Sequence, residues 1–209
     1  MNQRAYGFTL VEILITLAVV SLLLMLGLPS MNTWLQNTQL RTAAESIQAG
    51  LQFARAESLR RNVPVRFQFV DTLTSACAPN DQATNWIVSV NDPTGKCDAA
   101  ESDPSAEITD PTALIVIQKR RGAEGSPNAA VTAVNDTAAV TAANTVTFSG
   151  LGRVIGVTPI TRIDINNPSG GACQPAGPMR CLRITIASGG QPRMCDPIVV
   201  DATDPRKCQ

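Results

Sequence analysis

From Phe8 to Leu28 the chain is almost wholly apolar, with one carboxylate, Glu12, placed near the start. Twenty-one residues at about 1.5 Å each span about 31 Å, the thickness of a bilayer's hydrocarbon core. An ionised Glu at mid-membrane costs roughly 3 kcal/mol, so Glu12 requires a partner. An ordinary secretory signal is cut after its apolar core. Here the small-residue boundary, Gly7, lies before it. Cleavage there would keep the apolar segment on the mature chain and create a new amine at Phe8, one helical turn from Glu12.

Gly7-Phe8-Thr9-Leu10-Val11-Glu12, following a short leader with the single base Arg4, resembles the class III leader of type IV pilins and pseudopilins. The resemblance implies that a prepilin peptidase cuts between Gly7 and Phe8 and N-methylates Phe8. It also implies that Glu12 pairs with the Phe8 amine of a neighbouring subunit during assembly.

The 209 residues suffice for one anchored domain, and 17 basic residues balance 17 acidic ones. Loss of residues 1–7 would leave 16 against 17. Such a chain has no global electrostatic footprint for nucleic acid, so any such binding must come from a local patch. Histidine is absent, and no constellation for acid–base or nucleophilic catalysis stands out. No catalytic residue, metal site or cofactor is expected. The six cysteines, Cys77, Cys97, Cys173, Cys181, Cys195 and Cys208, lie in loop-like surroundings without a Cys-x-x-Cys pair. An even count of this kind reads as disulfides in an oxidising compartment. Fifteen connectivities are open; local pairing, Cys77–Cys97, Cys173–Cys181 and Cys195–Cys208, is favoured because each bond closes a Pro- or Gly-rich loop.

Pro29 is expected to kink the helix without ending it. Beyond it, Leu40, Ala44, Ile47, Leu51, Ala54 and Ser58 recur at steps of four and three, which places them on one helical face. Arg41, Glu45, Gln48, Gln52 and Arg55 fall mainly on the other. Arg60 and Arg61 suit a helix C-terminus, and Asn62 and Pro64 stop the helix. Short strands follow: 65–70, which alternates as a half-buried strand should, then 86–90, 114–118, 145–148, 160–165 and 182–187. Residues 129–143 alternate weakly and are left unassigned. Gly150–Gly156 reads as a hairpin or bulge, and 91–111 and 166–178 as long loops.

The expected architecture is α+β: a long N-terminal spine helix, transmembrane in its first half, packed on a mostly antiparallel β-sheet head. Its segments are a leader (1–7), a transmembrane helix (8–28), an amphipathic continuation (29–62) and a disulfide-bonded, β-rich periplasmic head (63–209).

Three further segments, Phe53–Asn62, Phe148–Arg153 and Gly189–Pro197, resemble the FimT/FimU minor pilins and GspH-type pseudopilins. Gly189–Pro197 is similar to that branch's C-terminal strand and tail. The resemblance implies a non-enzymatic subunit of a type IV filament machine, held in the inner membrane with its head in the periplasm or on an extracellular filament. Its implied partners are the prepilin peptidase and other pilins or pseudopilins. Long mid-chain loops and a cross-linked tail favour a minor subunit over a major one. Two other readings stay open, a type II secretion pseudopilin and a DNA-uptake receptor. Uptake members carry Gly-Arg-x-Arg near the C-terminus, where this chain has Gly190-Gln191-Pro192-Arg193. Arg180, Arg183 and Arg193 are the candidate DNA contacts, with Arg206 and Lys207 nearby. A solvated, charge-protected sheet edge explains the same residues.

Overall fold

The computed structural model describes residues 9–103, 110, 112–122 and 124–208, with the backbone alone for 26–30. Two compact units divide the chain, Met1–Leu35 and Gln36–Gln209. One helix, α1 (Leu10–Arg61), supplies most of the first unit and the spine of the second, and it remains helical through residue 29.

In the second unit the 4-3 spacing is realised as a buried stripe. Leu40, Ala44, Leu51, Ala54 and Ser58 are fully buried and Ile47 nearly so. The stripe joins one core with two five-stranded antiparallel sheets. The first sheet has the order β3-β2-β1-β6-β7, from β1 (Val65–Val70), β2 (Asn85–Val90), β3 (Ile115–Arg120), β6 (Thr145–Phe148) and β7 (Val154–Ile155). The second has the order β10-β9-β8-β4-β5, from β4 (Ala130–Asn135), β5 (Thr141–Ala142), β8 (Arg162–Asn166), β9 (Leu182–Ile186) and β10 (Pro192–Cys195). Phe67, Phe69, Trp86 and Phe148 enter the core from the first sheet; Ile163, Ile165, Ile184 and Ile186 enter from the second. Each such side chain contributes about 1.5–3 kcal/mol through burial. Phe67 stacks on Trp86 at 5.4 Å and meets Phe69 edge-on at 5.1 Å.

Gly50 is the small residue of this seam. A Cβ there would lie 2.9 Å from the Trp86 ring, so the indole packs against bare helix backbone. At Asn62 the backbone turns left-handed (φ 53°), which ends α1 as its Asn-Val-Pro sequence implies.

Three details depart from the sequence reading, and a fourth, strand β10, agrees with the family resemblance alone. Strand β1 is buried on both faces except at Arg66, instead of alternating. Its outer face lies under loops that carry the Cys77–Cys97 bond, where Val70, Ile87 and Val116 form a second apolar cluster. Strand β8 starts at Arg162, later than expected, because the amides of Ile160 and Thr161 bond Thr145 O and Val134 O, tying the two sheets together. The unassigned segment 129–143 contains the hairpin β4–β5. Strand β10 was suggested by the family resemblance and not by local periodicity. It pairs with β9 at the edge of its sheet, where Pro192 is tolerated.

Disulfides join Cys77–Cys97, Cys173–Cys181 and Cys195–Cys208, with Cα separations of 6.0, 5.4 and 5.0 Å. Asn37 anchors the second loop to α1, accepting from Arg180 N at 2.7 Å and donating to Pro178 O.

Candidate functional site

Two regions bear on function, one in each unit. In the first, Thr9 caps α1: its hydroxyl accepts the Glu12 N–H at 3.2 Å, and its carbonyl accepts the Ile13 N–H. A helix N-terminus leaves several N–H groups without internal partners, and in an apolar medium each needs one. Glu12 sits in this first turn, where the helix dipole favours a carboxylate. Around and beyond it the surface is an apolar sleeve. Val11, Ile13, Leu14, Leu17, Val20 and Leu24 are each at least half exposed. The hydroxyls of Thr16 and Ser21 bond back to Ile13 O and Leu17 O, so neither interrupts the sleeve with an unmet donor. Glu12 is therefore the ionisable group of an otherwise lipid-compatible surface among the described residues. Gly7 and Phe8 lie outside the described residues. The run's far end, 26–28, is described in its backbone alone, and among the described residues no helix is long and apolar enough to cross a membrane.

The second region is the outer face of the β10-β9-β8-β4-β5 sheet, where cross-strand register decides which charges meet. Asp164 on β8 stands directly opposite Arg183 on β9. Arg183 Nε donates to it at 2.6 Å, and Arg162 Nε donates to it at 3.1 Å while also meeting Asp136. Arg180 reaches the buried Asp196 at 3.3 Å. Arg193 donates to the carbonyl of Pro205, inside the loop closed by Cys195–Cys208. Arg206 pairs with Asp204 at 2.7 Å, and these hydrogen bonds hold the Asp204 carboxyl down at about 2. Arg162, Arg183 and Arg193 line an open groove of about 1130 Å³ together with Thr185 and Gln191. The fold thus brings Arg183 and Arg193 to one groove, and Arg183 also lines a second one with Arg180, Asp164 and Asp196. Arg180 and Arg183 are engaged by carboxylates, so little positive potential is left over for a polyanion. The sequence reading missed these acids. Alternation along Arg162-Ile163-Asp164-Ile165 puts Asp164 on the polar face, but only the register identifies its partner.

Among the described residues no cluster of His, Cys, Asp and Glu could hold a metal ion.

A spine helix whose start is apolar around one carboxylate, continuing into a two-sheet disulfide-bonded head, defines a pilin-like subunit. The family model "Type II transport protein GspH" matches residues 43–190, and the prokaryotic N-terminal methylation motif matches residues 2–28. The chain belongs to the GspH family. Two crystal forms of the type IV minor pilin FimU from Pseudomonas aeruginosa PAO1 are similar to it. One is 15% identical, with a TM-score of 0.45, over 74% of this chain and 90% of that one. The other is 13% identical, with a TM-score of 0.43, over 74% and 87%. No curated protein sequence matches the chain.

Proposed function

We propose that this protein is a non-enzymatic minor subunit of a type IV pilus, acting in filament assembly or initiation. Prepilin peptidase removes residues 1–7 and methylates the new amine of Phe8. Phe8–Leu28 then holds the subunit in the inner membrane with its head in the periplasm. The observation that carries this reading is Glu12 in the capped first turn of an exposed apolar helix.

The energetics follow from that placement. A carboxylate in the membrane costs up to about 3 kcal/mol, and the helix dipole returns only about 0.3–1 kcal/mol. The remainder is recovered by pairing with a cation, and the Phe8 amine of a neighbouring subunit offset along the axis by about one helical turn is a cation level with Glu12. Entry into the filament moves the apolar helix from lipid into a bundle of similar helices. A subunit out of register would leave both charges unpaired, so the pair selects register.

A second reading, a pseudopilin of type II secretion, is favoured by the description of the matching family. The anchor and head serve either machine. A DNA-uptake role is less favoured because Arg180 and Arg183 are held by Asp196 and Asp164. Deletion of the gene separates the readings. Loss of surface pili with protein secretion intact supports the pilus role, and the reverse supports the pseudopilin. Normal pili together with normal secretion would refute both.

A further inference from the structure

Past the apolar run, α1 presents three large apolar side chains on one arc. Met31 is 64% exposed, Trp34 65% and Leu35 49%, and their spacing of three and four puts them on a single face. Soluble helices do not ordinarily present an indole and two long apolar side chains together, so this stripe calls for an environment.

Its position along the axis supplies one. If residue 28 ends the hydrocarbon span, Trp34 stands six residues further on, about 9 Å at the helical rise. The headgroup layer of one leaflet is roughly 5–7 Å deep. Long helical side chains slant toward the N-terminus, which here is toward the bilayer, so the indole reaches back into that layer. Indoles favour such a boundary because the ring is apolar and its N–H is a donor. Nor does the chain offer another anchor on this side. No Lys or Arg occurs between Glu12 and Arg41, and Arg41 stands 13 residues, about 20 Å, beyond residue 28. Snorkelling of a basic side chain, the usual alternative to an aromatic belt, is therefore not available near residue 28.

We infer that Met31, Trp34 and Leu35 form an interfacial lipid anchor that sets the depth of the spine helix in the bilayer before the subunit enters a filament. The inference rests on the membrane anchoring proposed above. It assigns the stripe to lipid at the headgroup–acyl boundary. Depth matters because Glu12 must lie level with the neighbour's amine, and a shift of one turn would separate them by about 5 Å.

The chain's two tryptophans make the test direct. Trp86 is 2% exposed in the head core and provides a silent background. The processed full-length protein is reconstituted into phosphatidylethanolamine–phosphatidylglycerol vesicles whose acyl chains are brominated at either shallow or deep positions. Flotation reports association, and the emission difference between the parent and Trp34→Phe isolates the Trp34 signal. The expected result is that the protein floats and that shallow bromines quench this signal at least about twofold more than deep ones. Floating protein whose Trp34 signal is quenched at neither depth would overturn the anchor and leave membrane insertion standing. That outcome would place the stripe against protein. Stronger quenching by deep bromines would equally overturn the interfacial assignment. Failure to float would overturn both this inference and the anchoring on which it rests.

Discussion

Glu57 is 7% exposed near the C-terminal end of α1, where a carboxylate is unfavourable to the helix dipole, so its placement depends on its partners. Its Oε1 accepts Arg60 Nε at 3.0 Å, and its Oε2 accepts Arg60 Nη2 and Arg61 Nε, both at 2.7 Å. The Arg61 side chain is 5% exposed and the Arg60 side chain 47%. Substitution Glu57→Gln keeps the volume and one acceptor but removes the charge. The Arg61 bond, desolvated, carries the charge-assisted value of about 1.5–3 kcal/mol. The Arg60 pair, half in water, adds about 0–1 kcal/mol. A loss of about 2–3 kcal/mol at neutral pH is expected, and a larger one for Glu57→Ala. The Arg60 hydrogen bonds, joined by those of Arg61, hold the carboxyl below its ordinary 4.5 against the opposing effect of burial. A lowered value means that this stabilisation is complete above the ordinary value and is lost as pH falls through the native one. The difference between parent and Gln variant should therefore be full at pH 7 and shrink steadily below about pH 4.5. Urea denaturation of the compact unit Gln36–Gln209 at pH 7 and pH 3 measures it. An equal difference at both pH values would refute the electrostatic reasoning, and no difference at pH 7 would refute the role of the cluster.

Three further outcomes follow from the same structure. Intact-mass analysis of the protein from its native membrane should show a chain starting at Phe8 and carrying one methyl group; a start beyond Leu28 would contradict the account. Gly50→Ala should destabilise the head despite a gain of about 1 kcal/mol in helix propensity, because overpacking against the rigid Trp86 ring costs about 1–3 kcal/mol. Calorimetry that finds the variant more stable would show that the ring yields. Anisotropy titration at low salt should find no appreciable binding of duplex DNA to the head. Gln191→Arg should gain some, whereas tight parental binding lost in Arg193→Ala would restore the uptake role.

What was legible in the sequence was whatever depends on neighbours along the chain. The Leu40-to-Ser58 stripe needs only the helical repeat, and the helix end at Asn62 needs only local backbone preference. Burial that depends on a distant cover was not legible. Gln68 alternates with Phe67 and Phe69 as a surface residue would, yet it is 1% exposed because the loop reaching Thr94 closes over it. Nothing along the chain marks Glu57 as buried, because its enclosure depends on the head. The arginines near the C-terminus read as one basic patch because their acids, Asp164 and Asp196, become partners only through strand register and loop closure. At the N-terminus the reading rested on a contiguous motif, and the capping bond from Glu12 N–H to the Thr9 hydroxyl adds a local reason for Thr at that position.

The central claim is that Glu12 pairs with a neighbour's amine inside an apolar bundle. It is tested most directly by expressing Glu12→Ala beside the parent and measuring how much of each enters purified filaments. Removing the charge eases residence in lipid, so export, processing at Gly7 and membrane retention should be unchanged. Incorporation should fall more than about tenfold, since an amine left unpaired in the bundle costs about 3–5 kcal/mol. Equal incorporation of a fully processed Glu12→Ala subunit would contradict the account.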